Sequence, residues 1–332
     1  MAQTMFRNAL LLAVPFILAA QEPAPIKVRV QEVVVPVTVT DAQGRFVSDL
    51  KQPDFEVYDQ GFRQDIKFFS AERSQPVVVG LLMELSNGMR VRWKNYQEMG
   101  VELALALLPG DPKYSGYLIG FGNTAEVLVN TTSNSEAIVA KLNKVSPAGG
   151  SALYDAIWTA CTNRKLVPGE PLEPHSVIVI IGDGHDNAST HTLDQVLEIA
   201  QRKLVTIYAI STDAYGYTAD SGKVLRRMAE ETGGRVEYPL DKTYDNVQGF
   251  LSRPSDFGNY EFKPGTGGYT AAILTALFKS IQNISGEITT QYILRYSPNT
   301  PGSEVARHEI SVRVGIPNVN VKARAYYYPD NP

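Results

Sequence analysis

The sequence has almost no cysteine and little histidine. Its 332 residues include one cysteine, Cys161, and four histidines, His175, His185, His191 and His308. A single cysteine excludes an internal disulfide framework and a cysteine-rich zinc module. Four histidines leave little for a multi-histidine metal site, so we do not expect a site for a soft metal ion.

The sequence also lacks an excess of positive charge. It has 31 Lys+Arg against 35 Asp+Glu, for a formal net charge of -4, which argues against a nucleic-acid binder with a basic footprint. The hydrophobic fraction of 44% and the charged fraction of 20% are typical of a chain that buries a core. At roughly 100–200 residues per domain, the length predicts about two domains.

Long apolar runs are scarce, and the one at the start of the chain is short. Residues 1–20 combine a basic residue, Arg7, with an apolar run, Ala9–Ala20, that ends in small residues. Such a run is too short to span the ~30 Å hydrocarbon core of a bilayer, and it is typical of a secretory signal peptide. We therefore expect a cleaved signal and an exported protein with no stable membrane span, located in the periplasm, outside the cell or at the cell envelope. A buried N-terminal helix is the alternative.

Both ends of the chain carry patterns typical of β-strands, rich in β-branched residues and with a period of two. The patterns are 26–40, 46–47, 54–58 and 62–69 near the start, and 291–296, 308–314 and 319–328 near the end. Pro36 indicates an edge position or a bulge. Each set alone has too few strands to close a core, so segments 21–75 and 288–332 are predicted to form one small β-sandwich. Two separate small sheets are the alternative.

Residues 76–287 between these ends alternate strand and helix patterns. Residues 77–85 and 176–182 are continuous apolar runs, as in buried parallel strands. The alternation predicts an α/β domain with a doubly wound, mostly parallel sheet, inserted into the sandwich. Residues 241–269, rich in glycine and aromatic residues, are predicted to be an irregular insertion whose role stays open.

Three loops are expected at the carboxyl edge of that sheet, where ligands bind in open α/β folds. Loop 83–89 follows the first strand pattern, loop 149–155 opens a helix, and loop 181–187 follows the second apolar run. Their hydroxyls and carboxylates suit a hard cation such as Mg²⁺. The candidate metal ligands are Glu84, Ser86, Ser151 and Asp183.

Five segments in order resemble the von Willebrand factor type A family, and in particular its exported VWFA-related bacterial members, common in acidobacteria. They are VPVTVTD at 35–41, DFEVY at 54–58, GGSALYDAI at 149–157, GDGHDN at 182–187 and QYILRY at 291–296. The resemblance covers nearly all of the chain after residue 20. It implies an adhesion or interaction module with a metal-ion-dependent adhesion site. In that site an Asp-x-Ser-x-Ser motif, a Thr and an Asp hold a metal that keeps one position open for a partner's carboxylate.

The sequence departs from this motif at three positions. Glu84 stands for the first Asp and shifts the carboxylate by about one methylene, whereas Mg²⁺ needs near-octahedral geometry at ~2.0–2.1 Å. Gly88 stands for the second Ser and removes an oxygen ligand, while Ser151 keeps the hydroxyl of the Thr. We therefore expect a degenerate site that binds Mg²⁺ or Ca²⁺ weakly; Ca²⁺, with its looser geometry, would tolerate Glu84 better. A vestigial site without metal is the alternative.

The rim around this centre is predicted to bind a protein partner. Its candidate residues are Asn87, Gly150, Gly184, His185 and Asp186. The leading hypothesis is an exported, non-enzymatic interaction module that meets an acidic side chain of its partner, with or without metal. No nucleic-acid partner is expected, and the identity of the partner and the oligomeric state stay open.

Two other functions remain as alternatives. The first is an assembly protein of the cell envelope that recruits neighbours at the sandwich edges by strand addition, with Tyr326–Tyr328 as a sticky edge. The second, weaker one is a serine hydrolase using Ser86 or Ser151 with His185. The sequence has no Gly-x-Ser-x-Gly elbow to present such a nucleophile.

Overall fold

The computed structural model describes residues 32–71, 76–163, 175–213, 220–240, 267–299 and 306–329. These ranges belong to one compact unit, Gln31–Pro332. The predicted signal peptide, residues 1–20, and residues 241–266 of the predicted insertion lie outside the described residues. Within the described ranges, no helix is both long and apolar enough to cross a bilayer.

Strands occupy both ends and the middle of the described chain, and helices only the middle. The strands are β1 Val33–Asp41, β2 Phe55–Asp59, β3 Phe62–Gln64, β4 Ile66–Ser70, β5 Val77–Glu84, β6 Tyr114–Phe121, β7 Ala125–Thr132, β8 His175–Gly182, β9 Thr206–Ser211, β10 Val236–Glu237, β11 Tyr292–Tyr296, β12 His308–Val314, β13 Val319–Ala323 and β14 Tyr326–Tyr327. The helices are α1 Trp93–Leu107, α2 Ser135–Leu142, α3 Leu153–Thr162, α4 Leu193–Arg202, α5 Asp220–Thr232 and α6 Gly267–Thr289, with 3-10 turns at Gln52–Asp54 and Asn87–Arg92.

The two ends of the chain form one β-sandwich. Its antiparallel sheets have the orders β13-β1-β11-β4 and β14-β12-β2-β3, so each sheet contains strands from both ends. Their inner faces bury a shared core that includes Val35, Val57 and Leu294. Neither set of strands could enclose this core alone, which is the physical reason for the pairing. The prediction of a single sandwich is confirmed.

Among the described residues, the part of β1 that contains Pro36 pairs with a neighbouring strand on one side only. Val33–Val37 pair with β11, whereas pairing with β13 begins at Val37 and runs to Asp41. Because proline has no N–H to donate, it is tolerated where a strand lacks a second partner. The prediction was an edge position or a bulge; β1 is an interior strand of its sheet, and it is an edge only locally, at Pro36.

The middle of the chain forms a six-stranded sheet with the order β10-β9-β8-β5-β6-β7. Its strands are parallel except β7, which pairs antiparallel with β6 at one edge. In β8, Val177 and Val179 pack under α1 and α6, while Ile178 and Ile180 pack under α3, α4 and α5. Burial of both faces explains why this strand is apolar throughout, and the predicted doubly wound α/β fold is confirmed.

The α/β domain is inserted between two neighbouring strands of the sandwich. The chain leaves the sandwich at the end of β4 and returns to it at β11, and Ser70 lies opposite Ile293 in the ladder between these strands. The two ends of the inserted domain therefore lie side by side.

A buried ionic contact joins the inserted domain to the sandwich. Glu287, in the last turn of α6, is completely buried. Its Oε1 accepts hydrogen bonds from Arg235 Nη1 at 2.5 Å and from Lys322 Nζ at 2.9 Å. Arg235 precedes β10 in the α/β domain and Lys322 lies on β13, so one carboxylate links helix α6, the edge of the large sheet and the sandwich.

Candidate functional site

The four candidate ligands lie together at the carboxyl edge of the six-stranded sheet. Strands β5 and β8 are parallel neighbours in register, with Met83 opposite Ile181. Their ends therefore coincide, which places Glu84, at the end of β5, beside Asp183, just after β8. Direct hydrogen bonds connect Glu84 with Ser86 and Asp183, and Ser151 reaches the same loop as Asp183.

Backbone hydrogen bonds fasten the loops of this edge to one another. Ala148 N donates to Leu85 O at 2.6 Å, and Asn87 N donates to Gly149 O at 2.9 Å. Leu85 N in turn donates to Phe121 O at the end of β6. The edge is therefore a set of interlocked loops on a rigid sheet, as functional sites require.

Glu84 points into the protein, and its carboxylate is already hydrogen-bonded. The residue is 2% exposed. Ser86 Oγ donates to its Oε1 at 2.5 Å, and Asp183 N donates to its Oε2 at 3.0 Å. A Cβ added to Gly182 would lie 2.7 Å from Oε2, so the longer Glu side chain uses space that only glycine leaves open.

The two carboxyl groups of the site hold their protons more tightly than usual. Burial, and then the charge of Asp183, raise the pKa of Glu84 to about 7, against the hydrogen bonds from Ser86 and Asp183 N. Burial also raises the pKa of Asp183, although His185 N donates to its Oδ1 at 2.7 Å. Burial and a neighbouring negative charge both favour the protonated, neutral form of a carboxyl group.

The two remaining positions of the motif supply little to a metal. Ser151 is 3% exposed, and its hydroxyl donates to the backbone oxygen of His185 at 2.8 Å. At Gly88 the nearest atom to an added Cβ is Ser86 Oγ, at 3.4 Å, so there is room for a ligand side chain and none is present.

In this arrangement the residues do not make up a complete set of ligands for a Mg²⁺ ion. Both oxygens of Glu84 accept hydrogen bonds, the hydroxyl of Ser151 is bound to a carbonyl, and Gly88 contributes no oxygen. Only Asp183 keeps a carboxylate oxygen without a hydrogen bond from a described residue. Across the described ranges, no three His, Cys, Asp or Glu residues gather in a group that could hold a metal.

The predicted rim residues differ in exposure. Asn87 and His185 are exposed and Gly150 is half-buried. Gly184 is buried beneath α5, and a Cβ there would lie 2.5 Å from Ser221 O. The structure therefore differs from the expectation at Gly184, since packing against a helix far along the chain takes it off the surface.

Asp186 also has a different environment from the one expected. It is half-buried, and its Oδ2 accepts hydrogen bonds from Tyr154 N at 2.9 Å and Ser189 Oγ at 2.6 Å. Its Oδ1 accepts from Ser189 N at 3.2 Å. Asp186 thus joins the start of α3 to the loop after β8 and has little capacity left for a partner.

Two asparagines contribute to the rim in a role that was not predicted from the sequence. Asn123 Oδ1 accepts from Gly150 N at 2.6 Å, and Asn187 Oδ1 accepts from Ser151 N at 2.9 Å. A Cβ on Gly149 would lie 2.5 Å from Asn123 Oδ1, and one on Gly150 would lie 2.6 Å from Asn187 Oδ1. The glycine pair therefore admits both amides. We call Asn123, Gly149, Gly150 and Asn187 the amide clasp. Its sequence signals are the position of Asn123 two residues after β6 and that of Asn187 in the loop after β8.

A second network fixes α3 against the loop that leads to α4. Asp155 accepts hydrogen bonds from the backbone N–H groups of Thr190 and His191 at 3.1 Å, and His191 Nδ1 lies 2.7 Å from its Oδ1. The His191 ring stacks on Trp158 with centroids 4.1 Å apart. Although burial acts to raise it, these hydrogen bonds hold the pKa of Asp155 below its usual value.

The fold and the site define an α/β domain with a polar rim at the carboxyl edge of its sheet, nested in a β-sandwich. No protein-family model matches the chain. It is similar to curated proteins known as UPF0353 proteins. The one from Mycobacterium ulcerans is 33% identical over 124 residues, which cover 34% of this chain and 36% of that protein. The one from Mycolicibacterium paratuberculosis is 27% identical over 222 residues, covering 64% and 61%. The matches thus span about a third to three fifths of these relatives.

Several solved structures share part of the fold. The BatB protein of Bacteroides thetaiotaomicron has a TM-score of 0.39 at 17% identity, covering 48% of this chain and 88% of that one. The vWF domain of the type V pili tip protein Mfa5 from Porphyromonas gingivalis has a TM-score of 0.30 at 17% identity, covering 33% and 38%. The PilB minor pilin of Streptococcus sanguinis has a TM-score of 0.41 at 13% identity, covering 65% and 62%. These partial likenesses concern the fold, and function has to be argued from the site.

Proposed function

We propose that this chain is an exported, non-enzymatic protein-interaction module of the von Willebrand type A kind, whose rim binds a partner protein. The observation that carries the proposal is that the polar groups at the sheet edge fall into two sets, one buried and one exposed. Buried polar groups such as Glu84 and Ser151 are bonded within the protein, while Asn87, Asn123 and His185 lie exposed on loops that are locked together. Polar groups on such loops suit recognition of another surface.

The serine hydroxyls support the non-enzymatic part of the proposal. Ser86 Oγ donates to the buried Glu84, and Ser151 Oγ donates to the backbone oxygen of His185. A nucleophilic serine needs a base aligned with an exposed hydroxyl, and both of these hydroxyls are buried. Turnover of a generic ester or peptide that disappears in Ser86→Ala or Ser151→Ala would contradict this part.

We further propose that the rim works without a resident metal, because the ligand set described above is incomplete and most of its oxygens are already hydrogen-bonded within the protein. Calorimetric titration of the full-length chain with Mg²⁺, Mn²⁺ and Ca²⁺ tests this. The expected result is no heat and no thermal shift at millimolar metal. Saturable heat that is lost in Asp183→Ala would restore the metal-bridged contact with an acidic side chain.

Site-specific photocrosslinking tests the rim as the interaction surface. A photoreactive residue is placed at the rim residue His185 or at Val91, which is 73% exposed in the 3-10 turn that begins at the rim residue Asn87. The matched control position is Leu105 on α1, which is 45% exposed and lies away from the rim. In the cells that make the protein, we expect an adduct of defined mass from the two rim positions and none from Leu105. Equal labelling at all three positions would contradict the proposal.

A second candidate function is envelope assembly through the sandwich edges. Strands β3 and β4 are consecutive in the chain and form edges of the two different sheets. They expose Phe62 at 51% and Phe68 at 46%. Such edges can accept an added strand. Lys67→Pro on β4 would then abolish association, whereas Asp183→Ala would leave it unchanged.

The tyrosines near the C-terminal end do not favour this second candidate. Tyr327 is buried in the sandwich core. Arg307 covers the ring of Tyr326 at 4.0 Å, and Arg202 covers the ring of Tyr328 at 4.6 Å. The aromatic faces of this edge are thus engaged within the protein.

A further inference from the structure

The amide clasp fixes the orientation of its two asparagine side chains. Asn123 Oδ1 and Asn187 Oδ1 are both used as acceptors for backbone N–H groups of the clasp, at 2.6 and 2.9 Å. Each amide carries its two donors on the other atom, Nδ2. Both side chains are exposed, and neither Nδ2 donates to a described residue. The outer surface of the clasp is therefore a pair of hydrogen-bond donors.

The carboxyl groups of Asp183 and Glu84 lie next to these donors. Ser151, whose N–H binds Asn187, donates its hydroxyl to His185 O, and His185 N binds Asp183. Asp183 is half-buried, and within the described ranges no lysine or arginine forms a salt bridge with it or with Glu84. Without a metal, an incoming carboxylate would meet like charge here, which is unfavourable in a partly desolvated site.

We propose that the amide clasp and Asp183 select a partner segment that is extended and basic rather than acidic. Asn123 and Asn187 donate to its main-chain carbonyl oxygens, and Asp183 accepts its lysine or arginine side chain. This inference rests on the proposed function, because it names the chemistry of the partner at the same rim. It makes Asn123 and Asn187 the residues that determine specificity.

Selection of random peptides displayed on phage tests the inference. Peptides are selected on the immobilised full-length chain in the presence of chelator, and synthetic copies are measured by fluorescence anisotropy. We expect the selected sequences to share a lysine or arginine. We also expect Asp183→Asn, which keeps an oxygen for His185 N but removes the charge, to bind at least about tenfold more weakly, since a hydrogen bond to a charged group is lost.

The asparagine donors need a control for charge. Asn123→Asp keeps the oxygen that accepts from Gly150 N and removes the outward donors, but it adds a negative charge. Thr124→Asp adds the same charge at the neighbouring exposed position and leaves the amide intact. We expect Asn123→Asp to bind the selected peptides at least about threefold more weakly than Thr124→Asp, the loss of a neutral hydrogen bond.

The failures of this inference and of the proposed function are distinguishable. Gly150→Val, which drives a side chain into Asn187, and Asn87→Arg, which adds bulk at an exposed position, both obstruct the rim. If peptides bind these variants as well as wild type, the rim is not the binding surface and the proposed function fails. If binding needs the rim but the peptides are acidic, or Asn123→Asp equals Thr124→Asp, only the inference is overturned. Failure to select any peptide also counts against the inference.

Discussion

At the scale of single residues, Glu84 makes the stability of the fold depend on pH. It is buried beside Asp183, and its pKa rises from 4.5 to about 7. A carboxyl group with a raised pKa binds its proton more tightly in the folded state than in the unfolded state. Its contribution to stability is therefore fully present below pH 4.5 and is lost as the pH rises towards 7.

Glu84→Gln should remove this pH dependence while keeping the size of the side chain. We expect the variant to gain stability relative to wild type as the pH rises from 4.5 to 7, by up to about 3 kcal/mol, and to stay level above that range. Denaturant unfolding at a series of pH values measures the difference. Glu98→Gln on the outside of α1 is the control, with a constant offset, and a flat difference for Glu84→Gln would contradict the assigned burial.

At the scale of elements, α3 and the loop before α4 are held together by Asp155. The carboxylate accepts from Thr190 N and His191 N and pairs with the ring of His191. Because its pKa is lowered, Asp155 stabilises the fold above its unfolded pKa of 3.8, and this contribution is lost as the pH falls.

Asp155→Asn should weaken the attachment of α3 to the loop before α4. We expect a loss of about 1–3 kcal/mol in the free energy of unfolding at neutral pH, because hydrogen bonds to a charged acceptor are replaced by poorer ones. Glu198→Gln, which breaks an exposed pair with Arg202, is the matched control and should cost less than about 1 kcal/mol. Equal losses in the two variants would show that the Asp155 hydrogen bonds stabilise the fold no more than an exposed ion pair does.

The elements also show what the sequence could and could not predict. Apolar runs such as that of β8 predict buried parallel strands, and valine alternation predicts the sandwich, because burial acts directly on residue type. The convergence of Glu84 and Asp183 follows from strand order. The cap of α2 is less determined: Asn134 Oδ1 accepts from Glu136 N, and the neighbouring Ser133 is a residue of a type that also caps helices. Both residues can cap a helix, and tertiary context decides between them.

Contacts between distant segments could not be read from local patterns. Asn123 binds Gly150, and Gly184 lies under α5, only once the whole sheet has formed. A single sequence carries no periodicity for such pairs, since each depends on where another loop comes to rest. For the same reason, no local pattern in the sequence predicts the contact of Glu287 with the sandwich.

At the scale of the whole molecule, Glu287 couples the two domains. It is completely buried, while its partners Arg235 and Lys322 are partly exposed. Removing the Glu287 carboxylate breaks its ion pairs with Arg235 and Lys322, although Arg235 keeps its pair with Glu237. The loss of a hydrogen bond to a charged group costs about 1.5–3 kcal/mol. Since this cost falls at the boundary between the domains, it should affect their cooperation as well as total stability.

Glu287→Ala should therefore separate the unfolding of the sandwich from that of the α/β domain. Differential scanning calorimetry should show one transition for wild type and two for the variant. Arg45→Ala, which breaks an exposed pair with Asp41, should keep one transition. Two transitions in wild type, or one unchanged transition in the variant, would show that the Glu287 contact does not couple the domains.

The insertion between β4 and β11 has a mechanical consequence. Because Ser70 and Ile293 are opposite one another, tension applied between β1 and β14 passes through the sandwich and bypasses the inserted domain. The α/β domain comes under load only after the sandwich strands have been pulled apart. A partner bound at the rim would thus be attached to a domain that is shielded from stretching along the chain, because the sandwich bears the force first.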